Sequence, residues 1–82
     1  MTIIVSYEII MPKLGLTMTE GTVTKWLKAE GDKVYKGETL LEIETEKIAN
    51  VVESPADGTL TRIIAKEGEI YEVSAVLGII TA

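Results

Sequence analysis

The sequence predicts an all-β fold: two four-stranded antiparallel sheets packed face to face and related by an internal pseudo-two-fold axis. Three observations predict it. Apolar residues recur with a period of two almost throughout, in short runs rich in Val, Ile, Thr and Leu that are punctuated by Gly or Pro. No window carries the i, i+3, i+4, i+7 stripe of an amphipathic helix. The second half also repeats the first. GTVTKWLKAEGDKVYKGETLLEIET (21–45) aligns without a gap on GTLTRIIAKEGEIYEVSAVLGIITA (58–82), at an offset of 37 residues.

The elements follow in order. The pattern places strands over 3–11, 21–28, 33–35, 39–44, 48–53, 58–65, 69–72 and 75–81. Breaks fall at Lys13 to Glu20, Glu30-Gly31-Asp32, Lys36-Gly37, Thr45 to Lys47, Pro55 to Asp57, Lys66 to Gly68 and Val73-Ser74. Identical pairs across the repeat are Gly21/Gly58, Thr22/Thr59, Thr24/Thr61, Glu30/Glu67, Gly31/Gly68 and Leu40/Leu77. The strand before each copy corresponds too, IIMP (9–12) matching VESP (52–55), so the first half carries about six extra residues within KLGLTMTE (13–20). Two copies are too few for a solenoid, and neither could bury its apolar face alone. They must cover each other. The expected core is Val23, Trp26, Leu40, Ile43 and Val51 with Leu60, Ile63, Leu77 and Ile80. Imperfect alternation in TVTKWLK predicts a β-bulge there.

Composition narrows the function. The 82 residues make one small domain, expected to fill 1–82 with both ends near its edges. Without cysteine there is no disulfide and no thiolate-bound zinc, and without histidine the commonest general base and metal ligand are missing. These gaps argue against hydrolytic triads, thiol catalysis and most transition-metal sites. A net charge of -5 opposes phosphate backbones, so nucleic acid is not an expected partner. No apolar run approaches the roughly 20 residues that span a bilayer, and no basic region followed by an apolar stretch marks a secretory signal. A cysteine-free acidic chain suits the cytosol or an organelle interior, and the isolated domain is expected to be monomeric, with no membrane partner.

The stretch LLEIETEKIANVVES (40–54) holds the candidate site. Two strands are joined by Thr45-Glu46-Lys47, without the glycine or asparagine that a tight hairpin prefers. Most turn lysines are solvated charges and nothing more. Here the turn joins the two halves, Lys47 is flanked by Glu44 and Glu46, and the repeat pairs Thr45 with Ala82. The pseudo-dyad therefore sets this tip opposite the C-terminus, facing away from any tether.

MPKLGLTMTEGTVTKWLKAEGDKVYKGETLLEIETEKIANVVESPADGTLTRIIAKEGE resembles a lipoyl domain of the acyltransferase component of 2-oxo acid dehydrogenase complexes. The likeness covers about residues 7 to 82. It is carried in order by Met-Pro (11–12), EG (20–21), KWL (25–27), EGD (30–32), KGE (36–38), ETEK (44–47), ESPADG (53–58) and EG (67–68). The resemblance implies a flattened barrel, the barrel-sandwich hybrid, with lipoate joined to Lys47 through an amide. The family's commonest attachment turn has Asp before the lysine and Ala after it. Glu46 keeps the charge with an added methylene, and Ile48 is bulkier. Biotin carrier domains share the fold but usually set their lysine between two methionines, and no methionine lies in this hairpin. An unmodified structural or adaptor sandwich is the third reading.

The implied function is a swinging-arm carrier without catalysis of its own. Acyl groups pass from a thiamine-diphosphate-dependent decarboxylase to the acyltransferase core, and a flavin-containing dihydrolipoamide dehydrogenase restores the arm. A lipoate ligase or lipoyl transferase loads it. The location implied is the cytoplasm, or the mitochondrial matrix of a eukaryote. Beside Lys47, the expected recognition residues are Glu44, Thr45, Glu46 and Ile48, with Leu16, Thr17 and Met18 of the 13–20 loop, which the resemblance places next to the turn. Asp32, Asp57 and Glu69 are read as turn residues and not as metal ligands.

Overall fold

The computed structural model describes residues 3–82, so Met1 and Thr2 of the expected domain lie outside the described residues. The strands are β1 (Ser6–Ile10), β2 (Glu20–Trp26), β3 (Lys33–Val34), β4 (Thr39–Thr45), β5 (Ile48–Glu53), β6 (Gly58–Ile63), β7 (Ile70–Glu72) and β8 (Val76–Thr81). They form two four-stranded sheets, ordered β1-β8-β6-β3 and β5-β4-β2-β7, and every neighbouring pair is antiparallel. The sequence repeat exchanges β1 with β5, β2 with β6, β3 with β7 and β4 with β8. That exchange converts one sheet order into the other. Each sheet takes two strands from each half, so the halves interlock instead of forming one sheet apiece.

Hydrogen bonds obey the same symmetry. Glu30 Oε2 accepts from the Ile63 N–H (2.8 Å) and Glu67 Oε2 from the Trp26 N–H (2.9 Å). The Gly31 N–H donates to Leu60 O (2.7 Å) and the Gly68 N–H to Val23 O (2.6 Å). Gly31 and Gly68 hold φ of 95° and 88°, which a side chain would resist, so the repeated Glu-Gly pair has a physical reason. Glycine turns the chain and the carboxylate before it satisfies an N–H in the opposite half. The bulge expected in TVTKWLK lies between Val23 and Lys25, and its counterpart lies between Leu60 and Arg62. Asp32 and Asp57 accept from the N–H groups of Ala29 (2.8 Å) and Lys36 (2.7 Å), and Glu69 accepts from the Tyr71 hydroxyl (3.0 Å).

The core contains Ile9, Met11, Val23, Val34, Leu40, Leu41, Ile43, Val52, Leu60, Ala65, Leu77 and Ile80. Trp26 and Ile63 pack against its margin, and the Trp26 Nε1–H donates to Ala65 O (3.0 Å). Val51 does not belong to it. Val51 lies opposite Glu42 and is 48% exposed, whereas Val52 lies opposite Leu41 and is buried. A register shift between Thr39 and Leu41 turns both Leu40 and Leu41 inward, which offsets the expected alternation by one residue. β1 is also shorter than expected. Its partner β8 ends at Thr81 opposite Ser6, and Ile3 and Ile4 are exposed before it.

The Lys28 ammonium pairs with Glu38 at 2.9 Å, tying the end of β2 to the turn before β4. The hydrogen bond from Lys28, then that from the Tyr35 N–H, holds the Glu38 carboxyl below its ordinary value near 4.5, and the same pair raises Lys28 above 10.5. The depressed carboxylate contributes stability at neutral pH that is lost as pH falls through its lowered value. The raised ammonium loses its contribution only as pH climbs above 10.5. Glu38→Gln should therefore be slightly less stable than wild type at neutral pH and converge with it in strong acid, so that its acid limb is flatter, measured by urea unfolding across that range. A second expectation concerns Gly58, where an added methyl would lie 2.6 Å from Thr81 O and 2.8 Å from Ile80 Cγ2. Since backbone cannot yield cheaply, Gly58→Ala should cost about 1–3 kcal/mol in the same assay.

Candidate functional site

β4 and β5 pair as far as Thr45 opposite Ile48, which leaves Glu46 and Lys47 as a two-residue turn. Their φ angles are 49° and 68°. Two positive values in sequence are what a type I′ turn requires, because only the primed turns match the right-handed twist of the paired strands. Asn-Gly fills such turns at little cost. Two long L side chains here occupy the left-handed region, at a cost of order 1 kcal/mol each. Register and twist impose this conformation, and the sequence keeps side chains where glycine would be more stable.

The turn presents those side chains outward. Glu44, Glu46 and Lys47 are exposed, Thr45 is half-buried, and Ile48 is an apolar neighbour 61% exposed. The Lys47 ammonium forms no ion pair among the described residues. Its location opposite the C-terminus follows from β1. Ser6 at one end of β1 pairs with Thr81, while Met11, just past the other end, packs beside Gly21 and close to Thr45. Five strand residues, at about 3.3 Å each, separate the lysine end from the chain terminus.

The loop from Lys13 to Glu20 does lie beside the turn. Together they enclose a groove of about 510 Å³, lined by Thr17 and Met18 from the loop and Glu44, Thr45, Glu46 and Ile48 from the hairpin. Leu16 does not line it. It stands at the loop's outer bend and is 96% exposed. Met18 packs on the core margin and its Sδ accepts from the Leu14 N–H (3.1 Å), while Thr19 O accepts from the Val73 N–H (3.0 Å), so the loop is anchored at its far end. Glu20, Gly21 and Asn50 also line the groove, and sequence reasoning did not select them. The only available signal was Glu20-Gly21, whose glycine is one of the repeat identities. The site offers a primary amine on a defined tip, with carboxylates from Glu20, Glu44 and Glu46 nearby and no thiol or imidazole. An accessible amine is what amide attachment of a carboxylic-acid cofactor needs, and Lys47 fits that requirement.

Comparison with known proteins agrees. Residues 7–80 match the family described as biotin-requiring enzyme, the biotin- and lipoyl-attachment family. The chain is 50% identical over 72 residues to the dihydrolipoyllysine-residue acetyltransferase component of the acetoin cleaving system of Cupriavidus necator, covering 88% of this chain and 19% of that protein. It is 49% identical over 75 residues to the succinyltransferase component of the 2-oxoglutarate dehydrogenase complex of Bartonella vinsonii, covering 92% of this chain and 18% of that one. The chain thus spans about a fifth of the length of the curated relatives it matches. Among solved structures, the lipoyl domain of the 2-oxoglutarate dehydrogenase complex from Azotobacter vinelandii superposes with a TM-score of 0.66 at 30% identity, covering 85% of this chain and 91% of that one. With its two interlocked antiparallel sheets and a lysine at the hairpin tip, this chain belongs to the biotin- and lipoyl-attachment family as a lipoyl domain.

Proposed function

We propose that Lys47 carries lipoate in amide linkage and that the domain serves as the swinging-arm carrier of an acyltransferase subunit in an acetoin or 2-oxo acid dehydrogenase complex. One observation carries this reading: an exposed amine on a glycine-free, positive-φ hairpin tip, at the end of the scaffold remote from the C-terminus. Relatives named as dihydrolipoyllysine acyltransferases support lipoate over biotin. The absence of methionines beside Lys47 points the same way.

Loading is acyl transfer to nitrogen. The amine attacks the carbonyl carbon of an activated lipoyl group, a C–N bond forms, and the bond to the activating group breaks with its electron pair. An alkyl ammonium gives up one proton to become the nucleophilic amine, and the nitrogen loses a second as the amide forms, so the ligase has to provide for both. The chain's own part is positional. The β4–β5 ladder holds Lys47 at a fixed height, since sliding by one residue would turn it to the other face. Once attached, the dithiolane ring supplies the disulfide and acyl-carrying chemistry. Tethering the domain near the successive active sites gives each an effective concentration in the millimolar range or so for a short flexible link. The proposed partners are the ligase, the decarboxylase, the acyltransferase core and the dihydrolipoamide dehydrogenase. Thr17 and Met18 in the groove and Leu16 at the bend give the decarboxylase a surface that differs in shape from the bare hairpin.

Intact mass after expression with a lipoate ligase and lipoate tests the reading. A single lipoyl addition, lost in Lys47→Arg, is expected. Addition of biotin by a biotin ligase, or no modification by either, would overturn it. The strained turn makes a separate expectation: Glu46→Gly should raise stability by up to about 1 kcal/mol in urea unfolding.

A further inference from the structure

The seat of the lysine turn is asymmetric in a scaffold that is otherwise symmetric. Just past β1, Met11 is fully buried and held on both sides: its N–H donates to Ala75 O and its carbonyl accepts from the Ser74 N–H, each at 2.9 Å. Its thioether lies against the buried Gly21 of β2. A methyl group added at Gly21 would stand 3.0 Å from Met11 Sδ, 3.3 Å from Met11 Cε and 3.3 Å from Thr45 Cγ2. Gly21 is not among the positive-φ residues, so space and not backbone conformation calls for glycine there. The pseudo-dyad shows how local this is. The counterpart of Met11 is Ser54, whose hydroxyl turns to Ala56 O (2.6 Å), and the counterpart of Thr45 is Ala82. Gly58, the counterpart of Gly21, meets Thr81 backbone instead. Only the lysine end stacks thioether, glycine and threonine.

We infer that Gly21 is a positioning residue for modification of Lys47. Its missing side chain lets Thr45 settle beside Met11, and Thr45, paired with Ile48, closes the turn that carries the amine. The inference rests on Lys47 being the lipoylated residue. A methyl at Gly21 forces a neighbour to move by a few tenths of an ångström. The Met11 thioether sits in a fully enclosed part of the core with no free space to move into, whereas Thr45 is half-buried, so Thr45 yields and the tip tilts. Acyl transfer in a ligase active site is sensitive to such displacement.

Steady-state lipoylation of the whole chain by a lipoate ligase, supplied with lipoate and ATP, tests this. Wild-type modification at Lys47 is established first by mass, so a wrong assignment of Lys47 would appear in the wild type and not only in the variants. Gly21→Ala should lower kcat/KM for the domain roughly tenfold, chiefly through kcat. Thr45→Ser removes Cγ2, so Gly21→Ala with Thr45→Ser should return to within about twofold of Thr45→Ser alone. Val34→Ala, which opens a cavity beside Gly58 at the other end, should lose thermal stability and keep the wild-type rate. If Gly21→Ala is too unstable to purify, Thr45→Ile, which crowds the same contact from the other side, should show the same loss. Wild-type kinetics in the crowded variant, no relief from Thr45→Ser, or an equal loss in Val34→Ala would overturn the inference.

Discussion

The structure depends on a reciprocal exchange of hydrogen bonds between its two halves. Glu30 reaches across to Ile63 and Glu67 to Trp26, while the glycine that follows each glutamate donates to a strand of the opposite half. Each sheet borrows two strands from each copy of the repeat, so a single copy would leave both its apolar face and these N–H groups without partners. The interlock explains how so small a chain, without disulfide or metal ligation by cysteine or histidine, encloses a continuous core running from Ile9 to Ile80.

A stiff scaffold is what lets the lysine turn be strained. Glu46 and Lys47 hold positive φ because the β4–β5 register leaves two residues to reverse the chain and the strand twist selects a primed turn. The cost of the left-handed conformations is offset by the ladder on either side and by Thr45 packed against the Met11 and Gly21 end of the core. For a carrier this is useful. The amine is exposed to a ligase, while the half-buried Thr45 beneath it packs against the buried Met11 and Gly21.

The repeat gives the scaffold two corresponding ends that differ in detail. One end closes at Thr81 and Ala82. The other continues through Thr45 into the turn, and there the first half also carries the extra residues between Lys13 and Glu20. The departures from the dyad gather at this end: Met11 in place of a serine, a loop anchored by Met18 and Thr19, and a groove bordered by three carboxylates. Asymmetry in a symmetric fold thus singles out this end of the molecule independently of any motif.

The sequence by itself determined the all-β class, the strand order along the chain, the dyad, the bulge near Thr24 and the outward lysine. Each rests on local alternation or on the repeat, and both are readable without coordinates. It misassigned Val51, because the register shift between Thr39 and Leu41 arises from pairing across β4 and β5 and leaves no mark on periodicity. It also could not show that Leu16 points away from the groove while Glu20, Gly21 and Asn50 enter it. Such placements are set by contacts between residues distant in sequence, and only the folded chain brings Met11, Gly21 and Thr45 to one point.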